Sequence, residues 1–280
     1  MNLSYPILEH EYDSESKLEP SRMFEARDMP QVCVICFFKE VIDKVVADPT
    51  PQTAMHIEPD AAYLQAPLQK GLSERQAKVV ATNKWEDGPH LIYELEHGGK
   101  RVAFFHPGVG AAMAAGLLEE AIAFGCRKFI VVGGAGALEK GLDVGKLILV
   151  SAAVRDEGVS YHYLPPAREV TANPIAIQVL ESLLQTRHIP YHKAKTWTTD
   201  APYRETQPTI NARRAEGCFT VEMESASLMA VAQFRNVVLG QLLYAGDDLS
   251  GEVWDERSWM NRTDIRESLF WLAMDACLGL

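Results

Sequence analysis

From Gln31 onward, short strand-like segments, several of them strongly apolar, alternate with longer stretches in which apolar side chains return every three or four positions. The runs at 32–38, 91–96, 101–105, 128–132, 146–153, 191–198 and 237–245 read as strands, and 218–221 is a shorter one of the same kind. The stretches at 40–46, 111–124, 175–187, 225–234 and 264–278 read as helices. Strands without polar relief must be covered on both faces, and helices lie between them. The pattern therefore predicts an α/β fold with a largely parallel or mixed sheet. Residues 1–30 carry Pro6, Pro20 and Pro30 and no sustained period, so they read as an arm or cap that can pack on a partner subunit. Residues 31–280 read as one domain. Within it, 49–90 reads as an irregular surface connection with a helical stretch at 73–81.

Composition narrows the function classes. The formal net charge is −11 and no basic cluster exceeds Arg213-Arg214, which argues against a nucleic-acid partner. No apolar run approaches the ~20 residues of a membrane span, and the polar N-terminus does not look like a signal peptide. The expectation is a cytoplasmic protein without a membrane partner. Five scattered cysteines fit a reducing compartment. Cys33 and Cys36 form a C-x-x-C inside an expected strand, where residues three apart face opposite sides, so the pair is not expected to chelate a metal. No metal or redox cofactor is expected.

Three short motifs carry chemistry. Val221-Glu222-Met223-Glu224-Ser225-Ala226 joins a strand to a helix, placing two carboxylates and a thioether where ligands bind in open α/β sheets. A carboxylate there can accept hydrogen bonds from two sugar hydroxyls. It is equally at home as a helix N-terminal acid favoured by the dipole. His106-Pro107-Gly108-Val109-Gly110-Ala111 follows one strand and opens a helix, and Gly133-Gly134-Ala135-Gly136-Ala137-Leu138 follows another. The first is neither a Walker loop nor a dinucleotide fingerprint, since Met113 stands where a third glycine would. Both read as Gly-rich turns, either lining one cleft with backbone at Gly110 and Gly134 or simply reversing the chain.

Taken in order, Gly108-Val109-Gly110, Gly133-Gly134-Ala135-Gly136-Ala137-Leu138, Val144-Gly145-Lys146-Leu147, Thr199-Asp200-Ala201 and Val221-Glu222-Met223-Glu224-Ser225-Ala226 resemble the nucleoside phosphorylase superfamily. That superfamily holds purine and uridine phosphorylases and the methylthioadenosine/adenosylhomocysteine nucleosidases. The resemblance implies a three-layer α/β/α sandwich around a mixed central sheet. It also implies a homo-oligomer acting on a small nucleoside by cleaving its N-glycosidic bond. By the same resemblance, Glu224 is the ribose-binding acid, Met223 packs on the sugar, and Glu222 is a second site acid. Tyr203 falls in the base-contacting segment and Arg204 follows it, while Pro202 stands where an aromatic is usual. Asp247, with Asp248 as its neighbour and alternative, falls where purine-directed members place an acid at N7 of the base.

The departures bear on the acceptor. Cys36-Phe37-Phe38-Lys39-Glu40 replaces the Gly-Asp-Pro-x-Arg of phosphorolytic relatives. Val131 replaces an arginine, and Ala111, Ala112 and Met113 replace a Ser or Thr. A dianion is hard to hold without cations or hydroxyl donors. Glu40 falls where the hydrolytic nucleosidases place a water-activating glutamate, although a first-turn acid needs no such role. The sequence therefore favours hydrolysis of a purine nucleoside. The alternatives are phosphorolysis with inorganic phosphate as co-substrate at a rebuilt site, and a non-catalytic nucleoside-binding protein. Arg155, His162, Trp254 and Trp259 are secondary candidates for the cleft, a lid or a subunit contact.

Overall fold

Apolar runs with no polar relief end up covered on both faces. In a computed structural model that describes residues 5–9, 12, 15–48 and 76–280, Val32–Cys36 (β1) is buried throughout and sits mid-sheet. Around it lie Lys78–Trp85 (β2), Gly88–His97 (β3), Lys100–Phe105 (β4), Lys128–Ala137 (β5) and Leu147–Asp156 (β6). Glu169–Thr171 (β7), Tyr191–Thr199 (β8), Cys218–Glu222 (β9) and Val238–Asp248 (β10) complete the described strands. They form one mixed sheet. β1 pairs in parallel with β4 and β5, β5 with β10, and β8 with β6 and β9. β3 pairs antiparallel with β2 and β4, β6 with β7 and β10, and β5 with β9. Because β5 takes β10 along most of its length and β9 at its last two residues, strands β5, β10, β6, β8 and β9 close into a ring.

Helices cover both faces, giving the three layers. Ala111–Phe124 (α3, following a short turn Pro20–Met23, α1, and Lys39–Ala47, α2) and Ser225–Phe234 (α6) bury their apolar sides in one cluster with Ile35, Phe105 and Val131. α2, Pro174–Thr186 (α4) and Thr263–Gly279 (α7) bury theirs in a second cluster with Val34, Phe104 and Tyr244. Gln207–Ala215 (α5) adds Ile210 to a small third cluster with Trp197 and Val221. Cys33 belongs to the first cluster and Cys36 to the second, as strand alternation requires. All five cysteines are free and buried.

Three sequence expectations change. Of the expected helix at 73–81, residues 73–75 lie outside the described residues, and the rest enters β2. That edge strand buries only Ala81 and Asn83, so it lacks the inward alternation that marks a strand. The surface connection assigned to 49–90 ends by residue 78, and 49–75 lies outside the described residues. The second glycine segment is not a turn: Gly133 to Ala137 continues β5, paired to Leu243, Tyr244 and Ala245 of β10. Glycine's lack of a side chain serves close packing there, not reversal of the chain. α5 escaped notice because only Ile210 faces the interior. The described part of the arm lies on its own domain. The Phe24 ring packs tilted against Phe124 with centres 5.3 Å apart, Glu19 pairs with Arg235 at 2.9 Å, and the Tyr12 hydroxyl donates to the Tyr161 carbonyl at 3.2 Å. Among the described residues, no helix is long and apolar enough to cross a membrane.

Candidate active site

The chain brings its acids together at the carboxyl ends of β5, β9 and β10. β9 ends on Glu222, and the next turn delivers Met223 and Glu224 before α6 begins. One oxygen of Glu222 takes the amides of Glu224 (2.7 Å) and Ser225 (2.6 Å), and the other takes the Thr198 hydroxyl at 2.6 Å. Glu222 thus caps α6 and fixes the turn, with both oxygens engaged. Its neighbour Glu224 receives the Gly110 amide at 2.5 Å, which ties the first glycine loop to the acid turn. Gly110 has φ of 91°, a backbone state that L side chains rarely adopt, and it opens α3 from there.

Burial is the main force on these two carboxyls, pushing both upward. Three donors to Glu222 oppose the rise there without cancelling it. Burial and then the charge of Glu222 push Glu224 up to about 8. A cis-diol offering two O–H donors to Glu224 would favour its ionised form.

β5 forms the floor. A side chain at Gly136 would meet Leu249 at 2.5 Å, Val221 at 3.1 Å and the Asp247 Oδ1 at 3.5 Å. One at Gly134 would strike the Tyr244 ring at 2.9 Å, and one at Gly133 would meet the Phe37 ring at 3.3 Å. Bare backbone here lets Leu249, Tyr244 and Phe37 pack directly on the strand beside the acid turn and the end of β10.

At that end, Asp247 accepts the Trp254 indole N–H at 2.7 Å. Burial raises its pKa, and the Trp254 hydrogen bond opposes the rise. Asp248 is committed elsewhere, to Arg257 and to the Ser250 amide at 2.7 Å, so Asp247 is the acid left facing the cleft. Sequence reading missed Glu205. It sits beside Asp247 and is pushed up to about 7, by burial first and by Asp247 second. No motif marks it, although it closes the segment that begins at Thr199.

Other candidates fall outside this cluster. Tyr203 is 98% exposed and Arg204 is exposed, so neither lines the cleft within one subunit. Arg155 is buried and structural: it donates to Ser160 Oγ at 2.8 Å and to the Pro165 and Leu164 carbonyls at 2.7 and 3.1 Å. His162 is exposed. Trp254 is the indole on Asp247, not only a lid residue.

Glu40 occupies the first turn of α2 and accepts from Arg266 Nη1 at 2.6 Å. Close by, the segments expected to supply phosphate ligands converge on Phe37. Its amide donates to the Val132 carbonyl, its ring lies against Gly133, and its ring edge meets His106 at 6.4 Å. Met113 packs against Gly108. Burial holds His106 below its ordinary pKa, hence neutral. The cations in this corner are paired, Lys39 with Asp43 and Arg266 with Glu40. Among the described residues, no group of three or more His, Cys, Asp or Glu could hold a metal.

Comparison with known proteins identifies the family and the fold. The family model described as the phosphorylase superfamily matches residues 71–268. A uridine phosphorylase from Thermococcus kodakarensis is 29% identical over 232 residues, covering 71% of this chain and 80% of that protein. Among solved structures, purine nucleoside phosphorylase from Toxoplasma gondii shares the fold with a TM-score of 0.70 at 18% identity, covering 89% of this chain and 91% of the other. AMP nucleosidase from Bacteroides thetaiotaomicron gives 0.63 at 19% identity, covering 89% and 87%. Matched by one family model over residues 71–268, the protein belongs to the phosphorylase superfamily and is an enzyme of the nucleoside phosphorylase and nucleosidase kind, cleaving an N-glycosidic bond.

Proposed function

We propose that the substrate is a purine nucleoside and that the acceptor is water. The observation carrying the acceptor is the Phe37 ring, packed against Gly133 and His106 where a phosphate would need cations. On the acceptor side the cations Lys39 and Arg266 are already paired, with Asp43 and Glu40. A dianion entering there would lose hydration without a free cation to replace it. Water carries no such penalty.

The step balances as follows. The bond from ribose C1′ to the base nitrogen breaks with its electron pair going to the base. Asp247, whose carboxyl burial pushes upward, gives a proton to N7. A water oxygen bonds to C1′ and loses a proton to Glu40. Glu224 and Met223 hold the sugar as positive charge develops at C1′, and an ionised Glu224 stabilises that charge. The products are free base and free ribose. The purine preference rests on Asp247, an acid suited to N7, at a position where pyrimidine-directed relatives favour arginine.

The proposal includes a homo-oligomer. Val109, Tyr203 and Val253 are 68%, 98% and 81% exposed around the cleft, and cover by a second copy suits them. It also includes a reducing, cytoplasmic setting, supported by five free cysteines.

The test is base release from a panel of purine nucleosides and uridine, with and without phosphate, using wild type and Glu40→Gln. Equal release in both buffers, free ribose as product and a loss of about 10²–10⁴-fold in E40Q are expected. Release only with phosphate, as ribose 1-phosphate, refutes hydrolysis. That second reading, phosphorolysis, is favoured by the similarity to a uridine phosphorylase, and release from uridine alone would refute the purine assignment.

A further inference from the structure

Arg266 is 8% exposed, lies on the C-terminal helix, and reaches the acceptor side of the cleft. Its donors go three ways: Nη1 to Glu40 Oε1 at 2.6 Å, Nε to the Tyr244 hydroxyl at 3.0 Å, and Nη2 to the Trp259 carbonyl at 3.1 Å. Its flat faces are taken as well, with Phe38 and Trp259 ring centres at 5.4 and 5.5 Å. The Tyr244 hydroxyl donates on to the same Trp259 carbonyl at 3.2 Å, and the Tyr244 ring lies against Gly134 of the cleft floor. A guanidinium fixed in this way cannot turn toward an incoming anion without breaking several contacts at once.

Glu40 stands differently. Its side chain is 43% exposed, and among the described residues Arg266 is the hydrogen-bond partner it has. One oxygen is anchored and the other faces solvent. The anchoring bond holds one oxygen in place and leaves the other to take a proton.

We propose that Arg266 is a positioning residue for Glu40: α7 and β10 together aim the free Glu40 oxygen at the acceptor water. The inference rests on the hydrolytic reading. It also explains a residue pattern that the motifs do not cover, since Arg266 and Tyr244 lie outside every segment that carries the family resemblance. Arginine suits the task better than lysine because its planar fork can hold Glu40, Tyr244 and Trp259 in fixed directions together.

The test measures kcat, KM and thermal unfolding for Arg266→Gln, Arg266→Lys and Tyr244→Phe beside E40Q. R266Q is expected to lower kcat about 10–100-fold with KM within about twofold, since misplacement by about an ångström costs on that order. R266K keeps a charge without the fork and is expected to restore part of that loss. Y244F removes one of the three anchors and is expected to lower kcat by a few fold in a stably folded protein, so the proposal stays testable if R266Q does not fold. A merely structural Arg266 would lower the active fraction and the unfolding temperature and leave kcat per active site unchanged. That result, with E40Q inactive, overturns the positioning role alone. An active E40Q overturns the hydrolytic reading and this inference with it.

Discussion

Replacing Glu224 by glutamine isolates the largest pH-dependent strain in the site. Burial and the charge of Glu222 push the Glu224 carboxyl from its ordinary 4.5 up to about 8. Across that interval the folded state holds a proton that the unfolded chain has released. The raised value therefore favours the folded state fully below about 4.5, and that advantage is lost as pH climbs through about 8. At about 1.4 kcal/mol per pH unit, the interval is worth about 5 kcal/mol. An amide is the same size, still accepts the Gly110 N–H, and never ionises. Glu224→Gln should match wild type to within about 1 kcal/mol near pH 5 and exceed it by about 5 kcal/mol near pH 9. The assay is urea unfolding of both proteins at pH 5, 7 and 9, with thermal melts as a check; the gap near pH 9 corresponds to about 10 °C. Asp247 and Glu205 are also raised, but they are common to both proteins and cancel in the difference. A difference that stays constant from pH 5 to 9 refutes the reasoning, because the strain would then be steric or lie on another group.

Further outcomes follow from the same geometry. Nucleoside binding at pH 7 should release close to one proton, because sugar hydroxyls favour ionised Glu224; binding heats in buffers of different ionisation enthalpy give the number, and zero contradicts the assignment. Trp254→Phe removes the hydrogen bond that opposes the rise of Asp247, so the basic limb of kcat/KM, which needs protonated Asp247, should move to higher pH. An unmoved limb would detach Asp247 from it. Gly136→Ala should destabilise by about 1–3 kcal/mol and raise KM, since its methyl meets Leu249 at 2.5 Å on the cleft floor; urea unfolding and initial rates measure both, and an unchanged KM would mean that the substrate does not cross this strand.

Much of the fold could be read because burial on both faces leaves a mostly apolar run, as at 128–132 and 237–245. The acid turn was legible through its company: two glutamates between a strand and a helix, in order with two glycine segments, carried the family resemblance. Sequence could not separate their roles. Glu222 became a helix cap and Glu224 the open acid because of Thr198, which is distant in sequence and adjacent in the sheet. The glycine segment misread as a turn shows the limit of local rules. Gly133 to Gly136 are required by Tyr244, Leu249 and Phe37, which approach from other strands and loops. Arg266 and Glu205 carry no motif at all, since each is defined by what it faces.

The closed ring of β5, β10, β6, β8 and β9 bears on how the chain is made. Synthesis delivers β5 about a hundred residues before β10, yet β10 bonds β5 on one side and β6 on the other. Until the last segment leaves the ribosome, the inner strand β5 has an open edge along most of its length, lined with apolar side chains and glycine. A nascent chain of this kind has to wait, and while it waits it can pair with the wrong strand. Shortening the C-terminus before β10 would leave that edge permanently bare, and such a fragment should aggregate as it emerges.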